Sequence, residues 1–203
     1  MMPPIDFWFS IGTAYTYFAV MRLPEIAAEA EVEFRWRPFD IRAIMIEMND
    51  VPFASQPVKA AYMWRDLERR AAKVGLPLRL PIPYPLAEFE QANRVAVIAA
   101  REGWCQPYAI ATYRRWFVDR EPAGSEPNLS ASIREAGQEP ARVLELANSE
   151  GGIQALDAAT REAKELGIFG SPSFVIDGEL FWGYDRLQDA IDWQRNLDHA
   201  TPG

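Results

Sequence analysis

The stretch IFGSPSFVIDGELFWG, residues 168–183, limits the fold more than any other part of the chain. Two short apolar runs meet at Asp177-Gly178, a dipeptide suited to a two-residue hairpin because both positions tolerate positive φ. Pro172 stands at the head of the first run. Proline has no amide hydrogen to donate, so within a sheet it is confined to an edge, a bulge or the first residue of a strand. Two readings follow. Pro172 either protects an edge strand from aggregation, or turns the backbone beside a ligand through a cis Ser171-Pro172 bond.

Upstream, IDFWFSI is short, apolar and aromatic and ends at Gly12, which reads as a buried strand and a tight turn. In TAYTYFAVMRLPEIAAEA, Tyr15, Phe18, Ala19 and Leu23 fall near helical spacing, Thr13 stands where an N-cap would stand, and Pro24 reads as a break or restart. EVEFRWRPF then alternates, with Val32, Phe34 and Trp36 on one face. A strand, helix and strand in this order predict a right-handed crossover with parallel strands. The middle of the chain is helical and punctuated by Gly and Pro, with LPLRLPIPYPL as an extended connector; DRLQDAIDWQRNL closes the chain as an amphipathic helix. The order predicts an α/β fold with a helical insert: residues 1–52 and 156–203 form one domain, and 53–155 the insert.

Of the 203 residues, 49% are apolar, enough for a sizeable core. A net charge of -8 argues against nucleic acid, which demands a concentrated basic face. The basic cluster Arg65, Arg69 and Arg70 alternates with Asp66 and Glu68 and reads as a solvated helix face. No run approaches the ~20 apolar residues that span a bilayer, and MMPPIDFWFSIG lacks a basic leader region, so no membrane association and a cytoplasmic location are expected. The single cysteine, Cys105, leaves neither an intramolecular disulfide nor a CxxC centre, and the single histidine, His199, leaves no histidine-based triad or metal site.

FWFSIGTAYTY, KAAYMWRDLERRAAKVGLP and GIFGSPSFVIDGELFWGYDRL, in that order over nearly the whole chain, resemble the 2-hydroxychromene-2-carboxylate isomerases. With the kappa-class glutathione transferases, these form part of the DsbA-like branch of thioredoxin folds. The resemblance implies a thioredoxin-like fold with an inserted all-helical domain, glutathione as cosubstrate, and a cis-proline loop before the third strand. It places Thr13 on the family's serine that faces the glutathione sulfur and Ala14 on the proline after it; both depart from the family pattern. Ser10 is the fallback for the hydroxyl.

The chemistry explains the preference for a hydroxyl. A thiol has a pKa near ~8.5, and a hydrogen-bond donor beside it favours the nucleophilic thiolate. Thr13 is alternatively a plain N-cap. The resemblance further assigns glutathione to the Ser171 backbone at Pro172, paired as an added strand, and to Tyr184, Asp185 and Lys59; Asp185 can equally cap the last helix. Asn49, and more weakly Asp50, fall on a loop over the site. Asn93 is either a satisfied buried amide or a substrate contact, and Tyr15 and Tyr62 could wall an aromatic ring.

The expected function is glutathione-dependent cis-trans isomerisation of 2-hydroxychromene-2-carboxylate or a similar aromatic conjugated carboxylate, with the glutathione thiolate as transient nucleophile. A kappa-like transferase forming stable conjugates and a non-catalytic glutathione or peptide binder are the alternatives. A homodimer is expected from the resemblance alone.

Overall fold

The computed structural model describes residues 3–49 and 56–199, with side chains through residue 197. Four strands form a mixed sheet in the order β2-β1-β3-β4, with β1 at Ile5–Phe9, β2 at Phe34–Pro38, β3 at Ser173–Ile176 and β4 at Glu179–Trp182. β1 and β2 are parallel, as a strand-helix-strand crossover dictates. β3 lies antiparallel to β1, and β4 antiparallel to β3. The hairpin turns on Asp177 (φ 49°) and Gly178 (φ 81°), the left-handed pair that a two-residue turn of right-handed twist requires.

Sheet order removes one of the two readings of Pro172. The strand it precedes is internal, flanked by β1 and β4, so edge protection has nothing to protect. The Ser171-Pro172 bond is cis. The Pro172 carbonyl still accepts from the Gly183 amide at 2.9 Å, which carries the hairpin ladder one residue past its strands.

β1 is apolar on both faces because each face has its own core. Phe7 stacks on Phe9 (5.1 Å between centroids) and on Phe174 (5.5 Å), with Trp36 edge-on at 5.0 Å. That side belongs to the main core, shared with α1 (Thr16–Ala30), the helices of the insert and α9 (Leu187–His199). Trp8 faces the other way, into a smaller cluster with Phe39, Ile41 and Ile44 of α2 (Ile41–Glu47) and Ala163 of α8 (Glu150–Glu165).

Pro24 does not break α1, which runs unbroken through it. Proline inside a helix costs about 3 kcal/mol through a lost hydrogen bond and a ring clash. Burial of Tyr17, Phe18, Val20 and Leu23 on the same helix offsets it, at roughly 1.5–3 kcal/mol for each large side chain. The helix also starts later than Thr13: its first residue is Thr16, and Tyr15 precedes it with no side-chain cap. Residues 12–15 instead form a turn whose side chains line a cleft.

The insert comprises α3 (Pro57–Val74), α4 (Phe89–Glu102), α5 (Cys105–Arg114) with a π-helical turn at Arg115–Asp119, α6 (Asn128–Glu135) and α7 (Pro140–Asn148). The connector between α3 and α4 is extended, and its carbonyls are used. Tyr17 Oη donates to Pro77 O at 2.5 Å, and Trp116 Nε1 to Pro83 O at 2.7 Å. Residue 155, read as the second domain boundary, lies inside α8, and one apolar core runs through the insert and the sheet. The division thus describes chain order and does not mark two separate cores. No helix of the described residues is long and apolar enough to cross a membrane.

α7 and α8 meet at a corner made by Ser149, whose hydroxyl accepts from the Gly152 amide at 3.1 Å. A Cβ on Gly152 would lie 2.4 Å from the Leu146 carbonyl oxygen and 2.7 Å from that of Ala147. Both are backbone atoms that cannot swing aside. Gly152→Ala should therefore destabilise the protein by about 1–3 kcal/mol, read as a lower midpoint in urea with an unchanged slope.

Candidate active site

A cleft of about 170 Å³ opens where the end of β1, the turn at 12–15, the start of α2 and the Gly170-Ser171 bend converge. Its lining is chiefly apolar and aromatic, with Phe89, Phe169 and Trp182 among the walls. Phe169 (41% exposed) meets Trp182 (54% exposed) edge-on at 4.8 Å. A Cβ on Gly170 would fall 2.0 Å from Trp182 Nε1, so glycine is the residue that lets the indole lie against the bend.

Hydroxyls form the polar end. Thr13 Oγ1 lies 2.6 Å from Thr16 Oγ1 and 3.1 Å from Ser171 Oγ, and Thr16 Oγ1 lies 2.9 Å from Ser171 Oγ. The Ser10 amide donates to Ser171 Oγ at 2.9 Å, and Thr13 Oγ1 lies 2.8 Å from the Ser10 carbonyl oxygen. The Thr13 hydroxyl donates to that carbonyl, which also receives the Tyr113 hydroxyl at 3.0 Å and the Thr13 amide at 3.3 Å and so keeps partners if the Thr13 proton turns away. Thr13 therefore has an alternative use for its one proton. Thr16 is fully buried, whereas Thr13 and Ser171 are partly exposed and line the cleft. Thr16 thus backs two hydroxyls that can turn toward a ligand. Burial pushes the Tyr113 phenol well above its ordinary pKa, so it remains a donor.

Ser10 itself has no exposed surface; its Oγ accepts from the Ile41 amide at 3.4 Å. Of the two hydroxyls weighed from sequence, Thr13 is the one that a ligand can reach. Asn93 takes its buried-amide role and not that of a substrate contact. It has no exposed surface, its Oδ1 accepts from Ile11 N at 2.8 Å, and its Nδ2 donates to the carbonyls of Ile11 and Phe89, both at 2.8 Å. Both donor hydrogens are engaged, with no room beside them for substrate.

Tyr15 lines the cleft, and its pKa is pushed up to about 12, by burial first and then by the negative charge of Asp66. Burial pushes Asp66 up as well, but hydrogen bonds from Arg70 (2.7 Å) and Arg69 (3.2 Å) hold it below the usual carboxylate range. The basic cluster read as a solvated face is thus partly a support for Tyr15, with Arg70 5.6 Å from its ring centre. Asp185 is exposed in a short 3-10 turn, Tyr184–Arg186, ahead of α9, where its charge reaches Arg70. Tyr184 points elsewhere, its hydroxyl accepting from Arg22 Nη1 at 2.7 Å in a separate groove between α1 and α9.

Pro172, Asn93, Tyr184 and Asp185 are not among the cleft lining, the last two lining the groove between α1 and α9, and three more expected residues also stand outside it. Lys59 is exposed on the first turn of α3, Tyr62 on the same helix is 63% exposed beneath Arg69, and Asn49 is exposed past the end of α2 with φ 55°. Asp50 lies outside the described residues. Two residues of the site escaped the sequence reading, one buried behind the lining and one in it. Thr16 follows Ser10 and Thr13 at a spacing of three, a polar row that crosses the strand-helix turn. Arg42 follows the Asp40 cap of α2, with its guanidinium carbon 3.5 Å from the Phe89 ring centre. Cys105 is buried, and burial drives its thiol far above the ordinary range, so the chain brings no thiol of its own to the cleft.

The clamp on Ile11 generates a prediction. Asn93→Leu leaves a buried amide and a buried carbonyl unpaired, each worth about 1–3 kcal/mol, so a stability loss of about 2–4 kcal/mol is expected on chemical denaturation.

The profile of the DSBA-like thioredoxin domain matches residues 4–192. The chain is similar to a 2-hydroxychromene-2-carboxylate isomerase of Sphingobium xenophagum, with 28% identity over 190 residues, 92% of this chain and 95% of the relative. It is also similar to glutathione S-transferase kappa 1 of Caenorhabditis elegans, with 24% identity covering 94% and 90% of the two chains. A solved 2-hydroxychromene-2-carboxylate isomerase superposes with a TM-score of 0.85 at 22% identity, covering 98% of this chain and all of the other.

Proposed function

Because the chain belongs to the family of DSBA-like thioredoxin domains, we propose that it is a glutathione-dependent isomerase of 2-hydroxychromene-2-carboxylate or a similar conjugated aromatic carboxylate. One observation carries the reading: the cleft at the end of β1 is lined by the hydroxyls of Thr13 and Ser171, with Thr16 buried behind them, and the only cysteine is buried and outside that lining. Hydroxyls at this distance exchange hydrogen bonds among themselves, and their protons can be redirected to a stronger acceptor. A thiolate delivered by a bound tripeptide supplies one. The isomerase and kappa-transferase names of the relatives support the same reading.

Thr13 and Ser171 would turn their protons toward the glutathione sulfur and favour its thiolate, with Thr16 returning a hydrogen bond from behind. The bend before β3 offers the Ser171 backbone to the extended tripeptide, and Asp185 suits the ammonium of its γ-glutamyl group. The thiolate then forms a carbon–sulfur bond to the conjugated side chain, and the π electrons move onto the carbonyl as an enolate. Rotation about the resulting single bond follows. Collapse of the enolate expels the thiolate and restores the double bond in the new geometry, so glutathione is recovered unchanged. Tyr15, whose hydroxyl hydrogen-bonds to Asp66, would wall the aromatic ring of the substrate.

The reaction should require glutathione without consuming it. Conversion of 2-hydroxychromene-2-carboxylate that proceeds equally well without glutathione would count against the proposal, and permanent loss of glutathione to a chloronitroarene would favour the transferase. Thr13→Val and Ser171→Ala should each slow turnover about tenfold to a hundredfold, the worth of one hydrogen bond to a charged group. Each should also raise the pKa of the bound thiol, read from the ultraviolet absorbance of the thiolate. Variants that bind glutathione normally and lose nothing in turnover would favour a non-catalytic binder.

A further inference from the structure

The cleft described above is apolar apart from its hydroxyl end and one charge. That charge is Arg42, the cation among the described lining residues. It is only half-buried, yet its surroundings are poor in countercharge. Asp40 turns one carboxylate oxygen back onto the amides of Arg42 and Ala43, at 2.8 and 3.2 Å, as a helix cap. Glu90 lies toward Arg94, at 3.8 Å. Among the described residues no carboxylate forms an ion pair with Arg42; its Nη2 donates to the Leu86 carbonyl at 3.2 Å, and its plane sits on Phe89 at 3.5 Å. Burial lowers its pKa by more than the nearby charges of Asp40 and Glu90 raise it.

A guanidinium fixed by a ring on one side and a carbonyl at one corner keeps other N–H groups available in a fork that matches a carboxylate. Its rotamer is already set, so little ordering is needed when an anion arrives. We infer that Arg42 is the specificity-determining residue that selects an anionic acceptor substrate, pairing with the carboxylate of an aromatic acid whose ring lies on the apolar walls near Phe169 and Trp182. This assignment rests on the proposed function for its mechanism. It names a residue that neither the family resemblance nor the sequence pattern singles out.

The test separates charge from shape and does not require turnover. Titrating trans-2-hydroxycinnamate and its uncharged amide into the full chain without glutathione, and following tryptophan fluorescence, compares two ligands of one shape. The acid should bind about tenfold or more tighter than the amide, the scale of a charge-assisted hydrogen-bonded pair. Arg42→Met should abolish that preference while leaving amide affinity and the unfolding midpoint unchanged. Arg42→Lys should retain a weakened preference, because the charge persists without the fork, and it decides the matter if the methionine variant folds poorly. Equal binding of acid and amide to the unmodified protein, a preference that survives in Arg42→Met, or no binding of the acid at all would each overturn the inference. Glutathione binding is measured separately by calorimetry; its failure removes the proposed function and leaves the carboxylate result intact.

Discussion

The geometry of the cleft depends on one side-chain amide. Asn93 pairs with both backbone groups of Ile11 as a neighbouring strand would, and it does so from α4, a helix of the insert. The segment after β1 has no strand beside it there, so without Asn93 a buried donor and acceptor would go unpaired. The turn at 12–15 begins at that fixed point, and the positions of Thr13 and Thr16 follow from it. Tyr113 of α5 reaches the same segment from another helix, donating to Ser10 O. Two insert helices therefore hold the residues that a simpler fold would leave to a loop.

Much of the fold was legible in the sequence, for reasons of short range. Asp177-Gly178 specifies its turn by local φ preference, and the alternation of Phe34 and Trp36 specifies a strand with one face on the core, while Val32 packs just ahead of that strand. Pro24 was misread because its cost is local whereas its compensation comes from the packing of a whole helix face. The alternative of Thr13 as a plain cap fails because residue type alone cannot show that the helix begins only at Thr16. Asn93 and Arg42 were illegible in different ways. The partner of Asn93 is 82 residues away in sequence, and the exposure of Arg42 is set by Phe89 and Leu86 from another element.

The two ends of the cleft use opposite electrostatic strategies. At the hydroxyl end, neutral groups are close enough to exchange hydrogen bonds among themselves, so they are satisfied without ligand and can be redirected at small cost. At the Arg42 end a full charge is held by an aromatic face and a carbonyl, neither of which neutralises it. On the proposed reading, the glutathione sulfur meets the first condition and the carboxylate of the substrate meets the second.

The burial of Cys105 has a consequence for durability. Proteins that do thiol chemistry with their own cysteine lose function permanently when that sulfur climbs to the sulfinic or sulfonic state. Here, on the proposed reading, the reactive sulfur arrives with a diffusible tripeptide and departs with it, so an oxidised molecule is discarded by exchange and the catalyst behind it is left undamaged.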